Sequence, residues 1–302
     1  MEQLFTENFS LIVAHTFKNK AKPAVLEQAP RCNLAPFGVY GVMNSQNLLA
    51  FLLALLSVPV LRAEPIAVRN VEGSLQGFLV LRTTDGKTIA SGNLTQTIQG
   101  NRVAMHLVFR FRDGSLQDET ATFTQEGSFR LINDHLIQKG AKFPKPLDLQ
   151  IDAASGNVIV RYQEKGQDKV ESEHMDLPDD LANGVIFDEL KNIAPDAKDV
   201  KVSWLAATPK PRIVKLSITS VGGETFSVAG RPNKSTKFNI KVEIGGVAGV
   251  VAPWLGKQPS DMRFWIANGP VPALVKLEGA LYFGGPIWRI EMASPVWSRT
   301  SR

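Results

Sequence analysis

From residue 75 onward, apolar and polar positions trade places every second residue. The run 103–112 is the clearest. Val103, Met105, Leu107, Phe109 and Phe111 fall on one side, and Ala104, His106, Val108, Arg110 and Arg112 on the other. A period of two belongs to a half-buried strand, because successive side chains of extended backbone point to opposite faces. Turn pairs separate such runs at Asp85-Gly86, Gly100-Asn101, Asp113-Gly114, Glu126-Gly127, Ser155-Gly156 and Lys165-Gly166. The Asp-Gly pairs are expected to make tight hairpins with positive φ at both turn residues. Residues 74–175 therefore predict an antiparallel meander of about eight strands.

The pattern changes at Leu177-Pro178-Asp179-Asp180. Proline suits the first turn of a helix, where its missing N–H is no loss, and acidic side chains suit the positive end of the helix dipole. Leu181, Val185, Leu190 and Ile193 follow at helical spacing, and Pro195 ends the run, so a helix is predicted over 178–193. Gly184 inside that helix would cost about 1 kcal/mol relative to alanine, which implies close packing against a neighbour. Alternation resumes near residue 200 and recurs in five further runs up to 292. The expected fold class is mainly β: a curved antiparallel sheet, a half-barrel of about twelve or more strands, wrapped around one central helix.

Upstream of the alternating region lies a different signal. Residues 48–61 form a 14-residue apolar run interrupted only by Ser57 and Pro59. A membrane-spanning helix needs about 20 such residues. An apolar core of this length before a small residue, here Ala63, predicts a secretory signal peptide over 43–63. No Lys or Arg stands between Met43 and Leu48, so the positive end of that signal would rest on the α-amine alone. Residues 1–42 show no sustained period and read as an over-extended start or a disordered stretch. The expected mature chain is a single exported β domain over 64–302, periplasmic or otherwise in the cell envelope, with no transmembrane span. A transmembrane β-barrel fits less well, because the predicted helix interrupts the strands.

Export changes what the composition means. The one cysteine, Cys32, precedes the expected cleavage, so the mature chain would contain none. Disulfides, cysteine nucleophiles and thiolate metal sites are thereby excluded from it. The whole chain has a formal charge of +5; losing residues 1–63 removes five bases and three acids and leaves +3. With no basic block along the chain, a nucleic-acid partner is not expected.

The layout of strands, a Leu177-Pro178-Asp179-Asp180 helix start, and return strands ending Glu278-Gly279-Ala280-Leu281-Tyr282 resembles a bacterial exported domain family of unknown function. That family's fold is similar to the Lol-type half-barrels of periplasmic lipoprotein carriers. The resemblance implies an apolar concave face and a hydrophobic-ligand or envelope role, as an analogy of fold. It carries no catalytic residues over to this chain.

Catalytic and metal chemistry finds little support. Gly86-Lys87-Thr88 has the tail of a phosphate-binding loop, but Leu81 stands where its first glycine belongs. Gly245-Gly246-Val247-Ala248-Gly249 lacks dinucleotide spacing and reads as a bend. Glu171, Glu173, His174 and Asp176 make the densest cluster, best explained as a solvated strand end. No serine shows a nucleophile elbow. Asp179-Asp180 and Asp188-Glu189 are explained by capping and solvation of the helix. No cofactor, metal or catalytic residue is assigned.

All five tryptophans lie after residue 200. Amphipathic aromatics suit interfaces with apolar ligands, and core filling is the competing explanation. His106 and Arg110 line one wet strand face and could hold an anionic head group. The expected ligand-binding set is Trp204, Trp254, Phe264, Trp265, Trp288, His106 and Arg110. The leading expectation is an envelope protein that binds a lipid or lipoprotein on a concave sheet face. The alternatives are a non-enzymatic assembly partner of another envelope protein and, resting only on unplaced carboxylates, an envelope glycan hydrolase.

Overall fold

A computed structural model describes residues 64–206, 210–228, 231–243 and 259–297. The signal-peptide segment 43–63, Trp254 and the glycine run 245–249 lie outside the described residues. Eight consecutive strands come first: β1 (Leu75–Thr83), β2 (Thr88–Gln99), β3 (Arg102–Phe111), β4 (Leu116–Glu126), β5 (Ser128–Lys139), β6 (Leu147–Asp152), β7 (Asn157–Glu164) and β8 (Gln167–His174). One short helix, α1 (Ile186–Leu190), follows. Then come β9 (Val200–Ala206), β10 (Arg212–Val228), β11 (Arg231–Glu243), β12 (Met262–Ala267), β13 (Ala273–Gly279) and β14 (Trp288–Trp297).

All fourteen strands belong to one antiparallel sheet in the order β8-β7-β6-β5-β4-β3-β2-β1-β14-β13-β12-β11-β10-β9. Each half is a meander, and β1 joins them by pairing with β14, Leu81 opposite Ile290. The sheet does not close, since β8 and β9 are its two edges. Charged side chains on β8, among them Asp168, Lys169 and Glu171, discourage pairing with another chain. At the other edge the chain covers itself: Leu181 forms a parallel bridge with Ser203 of β9.

The period-two pattern decides which face is inside. On β3, Val103, Met105, Leu107, Phe109 and Phe111 are all buried, whereas His106 and Arg110 are exposed. The inner residues of both halves form one apolar cluster with Leu181, Ala182, Val185, Ile186 and Leu190. The segment 178–193 touches both halves. Gly184 abuts Ala121 on β4 and Asp134 on β5. Phe187 packs on Phe264 of β12 with ring centroids 6.0 Å apart. The sheet is therefore curved around this segment. An aromatic group of Phe111, Phe143, Tyr282 and Trp288 fills the same face further along, with Phe111 5.5 Å from both Phe143 and Trp288.

Two expectations are corrected. The helix spans 186–190, not 178–193. Gly184 sits before it with φ +64°, a left-handed conformation that no helix continues through. After a turn at 179–180 the chain runs alongside β9 instead: Ala182 N–H donates to Ser203 O at 2.9 Å, and Ser203 N–H to Asp180 O at 3.1 Å. The Asp-Gly hairpins also differ from expectation. Gly86 and Gly114 have positive φ, but Asp85 and Asp113 do not. Gly86 N–H donates to Thr83 O and Thr83 N–H to Lys87 O, each at 2.9 Å. This is the longer hairpin loop that ends on a left-handed glycine.

Candidate functional site: a cavity on the concave face

The concave face is wider than the short helix can cover. Beneath α1 a cavity of about 120 Å³ lies between Leu107, Ile186, Phe187, Trp204, Phe264, Leu277 and Ile290. It shares the walls Leu136, Gln138, Trp204, Leu216, Met262 and Leu281 with a second lobe of about 210 Å³. Among the described residues that lobe reaches the surface beside Pro259, Ser260 and the turn 282–285, where Phe283 is 66% exposed. The strand register produces this lining. Val214 and Leu216 stand opposite Trp204 and Val202, so inner positions of β9 and β10 add to one apolar wall.

One wall is polar. Gln117, Glu119 and Gln138 project into the first lobe from β4 and β5. Gln138 Nε2 donates to Gln117 Oε1 at 2.9 Å and to Leu281 O at 2.8 Å. Glu119 faces Leu136, and Ala121 faces Asp134, so Glu119 and Asp134 are diagonal neighbours on the inner face. Asp134 is buried, and its Oδ1 has no hydrogen-bond partner. Burial pushes the Glu119 carboxyl up to about 7. Burial, then the charge of Glu119, holds Asp134 well above the usual carboxylate range, against a hydrogen bond from the His135 backbone.

A second polar group lies under the far side of α1. Lys191 Nζ is 2.6 Å from both Glu72 and Asp188, and all three side chains are buried. Gln96 donates to Glu72 at 3.3 Å, and Gln125 Oε1 accepts from Glu72 N–H at 2.6 Å. Asn192 Oδ1 accepts from the backbone of Arg69 and Asn70. This network ties the irregular segment leading into β1 to the end of α1. Glu189 is buried beside it, with Oε2 lacking a partner. Burial, then Asp180 and Asp188, pushes its carboxyl up to about 8. Among the described residues no three His, Cys, Asp or Glu side chains are grouped so as to hold a metal ion.

The residues singled out from the sequence are divided between the two faces. Trp204 and Phe264 line the cavity. Trp288 is buried in the aromatic group beside it. Trp265 is buried on the opposite face, its indole N–H donating to Glu224 at 2.7 Å with Lys276 Nζ 3.7 Å over the ring. His106 and Arg110 are exposed on that outer face too, His106 paired with Asp118 at 2.8 Å. Trp254 lies outside the described residues. The structure thus brings together Trp204, Phe264 and Trp288, and separates them from Trp265, His106 and Arg110.

Sequence reasoning missed the inner polar residues. Asp188 and Glu189 are buried rather than solvated. Asp180 does not cap a helix; it accepts from Ser203 Oγ at 2.7 Å and pairs with Lys215 at 3.0 Å. A signal for Glu119 existed. Alternation along β4 places Gln117 and Glu119 on the same face as Ala121 and Phe123.

No family model and no curated protein matches this chain. Some solved structures are similar to it at low identity and low TM-score. The β-barrel-like protein of domain of unknown function DUF1849 from Brucella abortus is 10% identical, with 75% of this chain and 97% of that one covered and a TM-score of 0.42. The hypothetical lipoprotein YmcC from Escherichia coli is 11% identical, with 82% and 95% covered and a TM-score of 0.31. Neither is described as a Lol-type carrier, and likenesses at these TM-scores tell nothing of this chain's activity. Among the described residues no helix is long and apolar enough to cross a membrane.

Proposed function

We propose that this protein is exported to the cell envelope and holds a hydrophobic, lipid-like ligand in the concave-face cavity. The observation that supports this reading is the two-lobed space lined by Leu107, Leu136, Trp204, Leu216, Met262, Phe264 and Leu281. Sites for small apolar ligands are concave and mostly apolar, with a few placed polar groups, and this space has that composition. An interior meant only to be packed would be filled to crystal-like density. The signal peptide at 43–63 and a single exported domain over 64–302 belong to the same proposal.

Native mass spectrometry of protein recovered from the envelope fraction without detergent tests both parts. The expected result is a chain beginning just after Ala63, carrying a species of lipid mass that leaves on collisional activation. Envelope-fraction protein beginning at Met1 would overturn cleavage. Bare protein would overturn the ligand and leave docking onto another envelope protein as the role.

A further inference from the structure

We propose that the polar wall of the cavity selects an amphiphile with an amine or ammonium head and rejects carboxylate and phosphate heads. This rests on the reading that the cavity holds an amphiphile, and it adds the chemistry of the head. Glu119 projects into the cavity and has no hydrogen-bond or ion-pair partner among the described residues. Behind it Asp134 is 2% exposed with Oδ1 unpartnered, 2.9 Å from where a side chain on Gly184 would begin. Among the described residues no lysine, arginine or histidine lines either lobe. Lys191, the base on the inner face, lies on the other side of α1 and is held by Glu72 and Asp188.

Above about pH 7, where Glu119 gives up its proton, the charge that the described residues offer a head group is therefore negative. A carboxylate taken out of water without a partner is costly, and a cation placed beside it offsets that cost. An anion placed there adds repulsion and is tolerated only when the carboxyl groups are protonated. Asp134 is the titratable neighbour that faces Glu119 from β5; β3 and α1 present Leu107, Ile186 and Phe187. The apolar lobes would take the chain of the amphiphile, and Glu119 its head.

Delipidated protein is titrated with dodecylamine, dodecanol and dodecanoic acid at about pH 8, followed by calorimetry and by quenching of tryptophan fluorescence. The amine is expected to bind at least about tenfold more tightly than the acid. Glu119→Gln, which keeps the shape of the side chain, is expected to bring the amine down to the level of the alcohol. Asp134→Asn serves as a second variant that keeps Glu119, and it is expected to retain a preference for the amine over the acid. Equal or tighter binding of the acid overturns the head-group proposal and leaves the cavity reading standing. So does an amine preference that survives Glu119→Gln. Failure of all three compounds to bind takes both away.

Discussion

A carboxyl group removed from water either meets a cation or keeps its proton, and the inside of this sheet holds both outcomes. Glu72 and Asp188 meet Lys191 at 2.6 Å. Burial pulls the Lys191 ammonium down while Asp188 and Glu72 hold it up, with a net rise. Lys191→Met would leave two buried carboxylates facing each other. The expected loss is about 3–5 kcal/mol near neutral pH by chemical denaturation, shrinking as acid neutralises the pair. Glu189 and Glu119 take the other course. Their folded values, about 8 and about 7, stand above the ordinary 4.5. The folded state therefore binds more protons at these two groups than the unfolded chain does between 4.5 and 8, and their contribution to stability is full below 4.5 and is lost as pH rises towards 8. Thermal melts across that window should show the decline. Glu189→Gln should flatten part of it and raise stability at the alkaline end by roughly 1–3 kcal/mol.

Among the elements, the segment 178–193 departs furthest from its local pattern. Helical spacing, an N-terminal proline and paired acids all favoured a helix, and five residues of one form. Tertiary partners decided otherwise. Asn183 Oδ1 accepts from Leu205 N–H at 2.7 Å while its Nδ2 donates to Leu205 O, which uses the edge of β9 in place of a helical turn. Gly184 then turns left-handed between Ala121 and Asp134. Gly184→Ala would strain the backbone and drive a methyl group into Ala121, with an expected cost of about 2–4 kcal/mol and a lower Tm. The strands, by contrast, were legible as runs, because burial on one face of an extended chain imposes a period of two, clearest on β3. For the site, Trp204 and Phe264 were legible as large aromatics. Glu119 was not separated from surface acids: alternation puts it in line with Ala121 and Phe123, but only the register places it beside Leu136 and Asp134.

For the molecule as a whole, the pairing of β1 with β14 is the decisive contact. It joins residues such as Leu75 and Trp297, at opposite ends of the described chain, and makes one sheet of two meanders. Closing so long a loop before any reward slows folding. Refolding followed by tryptophan fluorescence is expected on the order of seconds or slower. A chain truncated before Trp288 would lose Trp288 and Ile290 from the core and expose two more strand edges. It is expected to show no cooperative melt.

By itself the sequence determined that the chain makes antiparallel strands, where most of them turn, and, on β3, which side chains face the dry side, because these follow from backbone geometry and the cost of wetting apolar surface. The tertiary structure decided how far the helix extends, which carboxyl groups lose water, and whether the concave face is filled. Those outcomes depend on partners on other elements, such as Gly184 against Ala121 and Asn183 against Leu205, and no local pattern encodes the distance between two walls of a curved sheet.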